Sequence, residues 1–411
     1  MRFRSGLAVG LTGVLALAGV ASAQDAGESI DYWYWQDDVT DTTIQDLADQ
    51  FEQINGITVN IRDSVAQPQF YDSLVNAIAA GNAPDATHLN TNMFGQLLQA
   101  QMLEPLDPYI EAWAAKDDVI PSMWDFVTSP DGSAIFAMPN KFLMFYLYYR
   151  CDLFEAAGVE VPTTQEEFVA AAEALTDPDN EVWGFDIRGG PNGQDQWAAF
   201  LVAGGARFLD DEGNVAFDSE ETKTSNDLYI STYPFAPPGA INDGFPQIIA
   251  NFQSGTAAMI INHLGAAKTL EASNGDDVCV ALIPSATGDP MQTTYMGTMN
   301  ANAVLADSDS KDAAFKWISF LAEQQPQLAI TLSTNGYLPV VQSVANDPRF
   351  EENRFFQISV EAAQNVVTAW PAIPGTTKAT QQTWQPLFQG ALLGENSNDA
   401  VVEGVAETLA E

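Results

Sequence analysis

Residues 30–61 read IDYWYWQDDVTDTTIQDLADQFEQINGITVNI, and this segment alternates between strand-like and helix-like patterns. The aromatic run over 30–35 predicts a strand, and apolar residues then recur at helical spacing over 44–54. Gly56 follows as the residue that closes the helix, before an alternating strand over 57–61. A strand, a helix and a second strand in this order predict a mainly parallel sheet with helices on its faces.

The same alternation continues along the chain and restarts after residue 140. A helix over 70–78 and a strand over 86–89 come first, and an apolar strand over 142–149 opens the second run. Thr164-Gln-Glu-Glu167 then has the pattern of a capping box at a helix start. Since 411 residues exceed what one hydrophobic core usually serves, we predict an α/β fold with two lobes.

The first 23 residues have the pattern of a secretory signal peptide. Arg2 and Arg4 precede an apolar run over 6–20, and small residues at 21–23 form a cleavage signal. The run is shorter than the roughly twenty residues that span a bilayer. We therefore expect the signal peptide, residues 1–23, to be removed and the mature chain to begin near Gln24 in the periplasm.

The charge balance excludes some partners. Lys and Arg total 15 against 55 Asp and Glu, which gives a formal net charge of −40. Such an excess disfavours binding to nucleic acid or to anionic membrane surfaces. The acids are scattered along the chain rather than clustered, so they indicate a solvated surface rather than a cationic ligand.

The sequence contains no recognisable catalytic or metal-binding motif. His88 and His263 are the only histidines and stand far apart, so neither a Ser-His-Asp set nor a metal site is indicated, and we expect no cofactor. A glycosidase needs just two carboxylates, however, and such a pair could be present among 55 acids. A secreted glycoside hydrolase is therefore the alternative to a protein that binds a solute without changing it.

Short motifs occur in a fixed order along nearly the whole mature chain. They are GNAPD at 81–85, LEPLD at 103–107, AMP at 137–139, LYY at 147–149, FQSGTAAM at 252–259 and GYLPV at 336–340. In this order and spacing the chain resembles the extracellular sugar-binding proteins of ABC importers, the group that includes maltose-binding protein. It departs from that group's pattern at Arg150, Cys151 and the segment 263–265.

The resemblance implies a type II periplasmic-binding-protein fold, with two lobes joined by three hinge crossovers. The crossovers are expected near 139–142, 282–284 and 335–339, lobe one over 26–138 and 285–333, and lobe two over 139–284 and 334–411. Such a protein is expected to be a monomer that closes on a small carbohydrate, and its closed form would be recognised by the membrane permease of an ABC importer. A polyol, an acidic sugar, an amino acid or a polyamine remains an alternative ligand.

Aromatic faces and hydrogen-bonding side chains are what a sugar site requires, and the carboxyl ends of parallel strands are where they should lie. The expected ligand-binding residues are Trp35, Gln36, Asp37, Asn90, Thr91, Asn140, Phe142, Arg188, Trp197, His263, Met296, Asn300, Tyr337 and Trp370. Positions 197, 296, 300, 337 and 370 are implied by the resemblance. Four alternatives stay open: Trp35 in the core, Asn90 and Thr91 in a plain loop, Arg188 in a salt bridge with neighbouring acids, and His263 as a structural residue.

Cys151 and Cys279 are the two cysteines of the sequence. An oxidising compartment and an even count allow one disulfide, although two buried free thiols also fit. Both residues lie on predicted strands beside expected crossovers of lobe two. We therefore predict that they are joined.

Overall fold

The structure is a computed structural model that describes residues 28–35, 41–64, 67–333, 337–351, 353–362, 365–371 and 373–411. The predicted signal peptide and two expected site residues, Gln36 and Asp37, lie outside the described residues. Within the described residues, no helix combines the length and the apolar character that a membrane span requires.

Nine strands in the described residues form one sheet in the order β2-β1-β3-β8-β4-β6-β5, with β7 on β4 and β9 on β8. The strands are β1 Ser29–Trp35, β2 Thr58–Ser64, β3 Ala86–Asn90, β4 Met138–Arg150, β5 Trp183–Phe185, β6 Ala257–His263, β7 Val278–Leu282, β8 Tyr295–Val304 and β9 Val366–Thr368.

Helices cover the faces of this sheet, which confirms the predicted α/β class. They are α1 Thr43–Asn55, α2 Gln67–Ala79, α3 Thr91–Gln99, α4 Asp107–Ala112, α5 Pro121–Asp125, α6 Cys151–Ala157, α7 Gln165–Ala174, α8 Gln194–Ala203, α9 Glu220–Ser231, α10 Phe245–Ser254, α11 Ala267–Asn274, α12 Lys311–Phe320, α13 Gln324–Leu332, α14 Gln342–Ala345, α15 Arg354–Ala362, α16 Thr376–Lys378, α17 Trp384–Leu392 and α18 Asn398–Leu409.

Strand β4 is shared by two halves of the structure. Its residues 138–144 pair with β8, whereas residues 145–149 pair with β6. We call the part built on β1, β2, β3, β8 and the start of β4 the β1 half. The part built on β5, β6, β7 and the end of β4 is the β6 half. The domain boundaries expected from the sequence stay a prediction.

The sheet is mixed rather than mainly parallel, which corrects the sequence-based expectation. Strand β1 runs parallel to β2 and β3, and β5 runs parallel to β6. Strand β8 is antiparallel to β3, and β4 is antiparallel to β6 and to β8. A strand-helix-strand pattern in the sequence predicts only parallel pairs between successive strands. The antiparallel pairs of β8 with β3 and β4 join segments that are remote in sequence, so that pattern could not predict them.

Each half has its own aromatic-rich core. Tyr32, Phe51 and Trp317 are buried together in the β1 half. Trp197 and Trp384 are buried together in the β6 half, with ring centroids 6.1 Å apart. A further cluster contains residues of both halves, among them Trp35 and Ile260, so the two halves also share buried apolar contacts.

Cys151 and Cys279 form a disulfide, with their Cα atoms 5.7 Å apart. Strand pairing explains why they meet. Cys279 on β7 pairs with Tyr149 on β4, and Cys151 follows two residues after Tyr149. Cys151 is the first residue of α6 rather than a strand residue, so the bridge joins the start of α6, directly after β4, to β7 in the β6 half.

Candidate ligand-binding site

A cavity of about 630 Å³ lies between the two halves. The β1 half and the segment beside it contribute Trp35, Asn90, Thr91, Leu143, Thr298, Asn300 and Tyr337 to its wall. The β6 half contributes Phe145, Arg188, Asn192, Gln194, Asp195, Gln196, Phe245, His263, Gly265, Thr269, Ala369, Trp370, Thr380 and Gln381. Because parallel strands end at this place in both halves, the cavity has the position expected of a binding site in an open α/β sheet.

Strand ends place four of these residues. Trp35 is the last residue of β1, Asn90 the last of β3 and His263 the last of β6, while Arg188 follows β5 by three residues. Asn300 lies beside Asn90 because these two residues are paired in the antiparallel ladder of β8 and β3. The cavity wall thus combines amide and imidazole groups from chain segments that are remote in sequence.

Trp35 belongs to both the core and the cavity wall. The side chain is 1% exposed, and its ring centroid lies 4.2 Å from that of His88 and 5.4 Å from that of Phe70. The remaining surface faces the cavity. The sequence left open whether Trp35 belongs to the core or to the ligand site. Both interpretations hold, because the ring packs on core residues and also lines the cavity.

Phe245 is an aromatic residue of the cavity wall that sequence reasoning missed. It is 37% exposed and stacks on His263, with ring centroids 6.1 Å apart and an interplanar angle of 6°. His263 Nδ1 accepts a hydrogen bond from the Gly265 N–H at 3.1 Å, which fixes the orientation of the imidazole. The signal available in the sequence was an aromatic residue between Gly244 and Pro246, a pattern typical of a helix start.

Arg188 is held by backbone oxygen rather than by an acid among the described residues. Its Nε and Nη2 atoms donate to the Pro191 carbonyl at 3.0 and 2.6 Å. The Gln196 side-chain amide is oriented so that its nitrogen donates to the Asn192 carbonyl at 2.9 Å. Its oxygen then accepts a hydrogen bond from Arg188 Nη1 at 2.8 Å. Burial lowers the pKa of Arg188, and the negative charge of Asp195 acts in the opposite direction.

Asp195 supplies the opposite charge in the same wall and was also missed from the sequence. It accepts a hydrogen bond from Trp370 Nε1 at 2.9 Å. Burial raises the pKa of Asp195, while the Trp370 hydrogen bond and the charge of Arg188 lower it. Among the described residues that line the cavity, Arg188 and Asp195 carry opposite formal charges, so the wall is close to neutral.

Polar groups remain available for a solute. Asn90 Oδ1 caps α3 by accepting from the Met93 N–H at 2.9 Å, so its amide NH₂ is left for another acceptor. Thr298 and Asn300 lie on one face of β8 and both line the cavity. These groups can donate to and accept from hydroxyl groups, as recognition of a polar solute requires.

The structure brings eight of the expected site residues into the cavity wall. They are Trp35, Asn90, Thr91, Arg188, His263, Asn300, Tyr337 and Trp370. Gln36 and Asp37 directly follow Trp35 but lie outside the described residues. These eight residues come from both halves and are the candidate ligand-binding residues.

Four expected residues lie away from the cavity wall. Phe142 faces the other side of β4, where it lines a separate cavity with Leu338. Trp197 is fully buried and donates from Nε1 to Asn226 Oδ1 at 2.8 Å. Met296 is packed in the core of the β6 half, and Asn140 is buried at an irregularity of β4. Phe142 lies away from the cavity because side chains alternate between the two faces of a strand, and the other three residues lie away from it because they are buried in the interior.

A buried carboxyl group lies two residues before Arg188. Asn251 Nδ2 donates to Asp186 at 2.7 Å and to Asp243 at 3.1 Å, which links two acids through one amide. Burial raises the pKa of Asp186 to about 7, with the Asn251 hydrogen bond lowering it and the charge of Asp243 raising it. The folded state therefore holds a proton that the unfolded chain releases near pH 3.9.

We expect Asp186→Asn to change how stability depends on pH. In the wild type, the stabilisation from the raised pKa of Asp186 is complete below about pH 4 and is lost as the pH rises through about 7. Between about pH 5 and 8 the wild type should lose on the order of 2–3 kcal/mol more unfolding free energy than Asp186→Asn. Urea unfolding across this range measures it. Exposed Asp179→Asn is the control, and parallel pH profiles for the wild type and Asp186→Asn would refute the expectation.

Residues 46–357 match the family model of bacterial extracellular solute-binding proteins. A mannitol-binding protein of Pseudomonas aeruginosa is 27% identical over 337 residues, which cover 75% of this chain and 75% of that protein. A solute-binding protein of Thermotoga lettingae bound with α-D-tagatose has a TM-score of 0.78 at 23% identity, covering 93% of this chain and 99% of the other.

A solute-binding protein of Agrobacterium radiobacter in complex with ribitol has a TM-score of 0.75 at 23% identity, covering 93% of this chain and 98% of the other. These likenesses bear out the two-lobed fold implied by the sequence motifs. The family match spans most of the chain and includes segments from both halves. The chain therefore belongs to the bacterial extracellular solute-binding proteins.

Proposed function

We propose that this protein is the periplasmic solute-binding component of an ABC importer and that its ligand is a neutral sugar or polyol. The observation that carries the proposal is the cavity between the halves, which combines aromatic side chains with amide and hydroxyl groups around one Arg and one Asp. A polyhydroxylated solute matches such a wall, because its hydroxyl groups pair with the polar groups and its C–H faces pack on the rings.

The charges of the wall argue against an ionic solute. Arg188 and Asp195 offset each other, and each is already tied to a protein partner. A carboxylate ligand would lie near Asp195 and a polyamine near Arg188, so each would meet a like charge. The relatives that bind mannitol, tagatose and ribitol support the neutral class.

Capture would proceed by closing the two halves around the solute, followed by delivery to a membrane permease. One contact already connects the halves beside the cavity: Gln96 Nε2 on α3 donates to Thr377 Oγ1 at 3.1 Å. The protein would act as a monomer after loss of its signal peptide. The family consists of solute-binding proteins rather than enzymes, so the glycoside-hydrolase alternative is set aside.

We expect a neutral polyhydroxylated compound to raise the melting temperature of the mature protein. The panel contains D-mannitol, ribitol and D-tagatose, with D-glucuronate and spermidine as acidic and cationic comparisons. A ligand at a hundred times its dissociation constant adds about 2.7 kcal/mol, which is a rise of several degrees. Calorimetry then gives the affinity. Binding of only D-glucuronate or spermidine would contradict the neutral class.

A further inference from the structure

We propose that Lys141, which does not itself line the cavity, is a positioning residue that holds the Tyr337 ring in the cavity wall and thereby sets the affinity for solute. The inference rests on the proposed function in one respect, since it takes Tyr337 to be part of the solute site. It adds a residue that lies one layer behind that site.

An irregularity in β4 aims Lys141 toward the cavity side. Pro139 pairs with Ala301 and Lys141 pairs with Asn300, so Asn140 is an extra residue without a partner in the β8 ladder. Partners in an antiparallel pair point to the same face of the sheet, and Asn300 lines the cavity. Without the extra residue, the alternation of β4 would turn Lys141 to the opposite face.

The residues that follow confirm this direction. Leu143 and Phe145 stand two and four positions after Lys141, and both line the cavity. Phe142, on the opposite face, lines a separate cavity. Lys141 thus begins a row of β4 side chains that face the solute cavity.

The ammonium group of Lys141 is buried between two tyrosines. Lys141 is 2% exposed, and its Nζ lies 4.0 Å from the centroid of the Tyr337 ring and 5.6 Å from that of Tyr34. Nζ also donates to Tyr34 Oη at 3.4 Å. A cation over a ring face in a water-poor site is strongly attracted to it, so Lys141 favours one orientation of Tyr337.

Tyr337 also begins a segment that is fixed to β4. The next residue, Leu338, exchanges two backbone hydrogen bonds with Phe142, at 2.9 and 3.1 Å. Gln327 on α13 adds a second link, since its side chain donates to the Asn140 carbonyl and accepts from the Val340 N–H. Lys141 therefore acts where two passages of the chain meet, and its loss should loosen both the ring and this junction.

The test compares Lys141→Met and Lys141→Gln with Lys141→Arg, which restores a cation. Exposed Lys316→Met is the control for loss of one positive charge. Calorimetry with D-mannitol, ribitol or D-tagatose, whichever binds the wild type, gives the dissociation constants. We expect both neutral variants to weaken binding about tenfold, Lys141→Arg to recover most of it, and Lys316→Met to bind like the wild type.

A double-mutant cycle tests whether the effect passes through Tyr337. In a Tyr337→Leu background, Lys141→Met should change the affinity less than about twofold. Wild-type affinity in both neutral variants, or an undiminished loss in the Tyr337→Leu background, would overturn the proposal.

A second measurement does not depend on the choice of solute. Hydrogen exchange of the Leu338 and Phe142 amides in the solute-free protein should be faster in Lys141→Met and restored in Lys141→Arg. If none of the three compounds binds the wild type, the proposed ligand class fails, and amide exchange alone decides the role of Lys141. Unchanged exchange in Lys141→Met would then refute it.

Discussion

Trp35→Ala should lower the free energy of unfolding by about 3–5 kcal/mol and remove measurable binding of a neutral solute. The large expected cost follows from burial, since the side chain is 1% exposed and packs on Phe70, Tyr71 and His88. Binding should fail because the same ring forms part of the cavity wall. Denaturant unfolding measures the first effect and calorimetry the second.

A matched control separates these two effects. Trp317 is also fully buried, but it packs on Tyr32 and Phe51 in the core of the β1 half, away from the cavity. Trp317→Ala should therefore cost a comparable amount of stability and leave the dissociation constant nearly unchanged at a temperature where both variants are folded. Equal losses of affinity in both variants would show that Trp35 acts through stability alone.

Local features of the fold could be predicted from the sequence because they depend on neighbouring residues. Gly56 ends α1 with a φ of 69°, and Thr164 and Glu167 form the predicted capping box of α7. A left-handed cap and a reciprocal pair of hydrogen bonds each require only a few consecutive residues. The disulfide pairing was also within reach, because the chain has a single pair of cysteines.

The direction of side chains on β4 could not be predicted, because it depends on one extra residue. Asn140 shifts the register against β8, and this shift places Lys141 and Leu143 toward the cavity and Phe142 away from it. A shift by one residue reverses the face of every following side chain in a strand. The apolar sequence of β4 contains no alternation that would have revealed the choice.

Asp195 and Phe245 were missed for a related reason. Each joins the cavity through the packing of helices α8 and α10 in the β6 half, and neither lies in a motif of the chain. Trp197, two residues after Asp195, was instead expected in the site and is buried in a core. On a helix, two residues correspond to a rotation of about 200°, so one faces the cavity when the other faces the core.

Replacing both cysteines, as Cys151→Ser with Cys279→Ser, should lower the free energy of unfolding by several kcal/mol and leave solute affinity nearly unchanged. The bridge closes a loop with a sequence separation of 128, for which the chain-entropy model gives about 5 kcal/mol of stabilisation. Structure that remains in the unfolded chain reduces this value, so about 2–5 kcal/mol is the expected range.

Affinity should persist because the disulfide lies just past the end of β4, whereas the cavity residues of β4 lie near the middle of that strand, and no residue of β7 lines the cavity. Cys279 pairs with Tyr149 near the end of β4, whereas the cavity wall is formed by Leu143 and Phe145. Denaturant unfolding of the wild type, with and without a reductant, should reproduce the difference seen in the double variant. Two reactive thiols in the denatured, unreduced wild type would contradict the bridge. If the double cysteine variant lost as much affinity as Trp35→Ala, the disulfide and β7 would be needed to position the cavity.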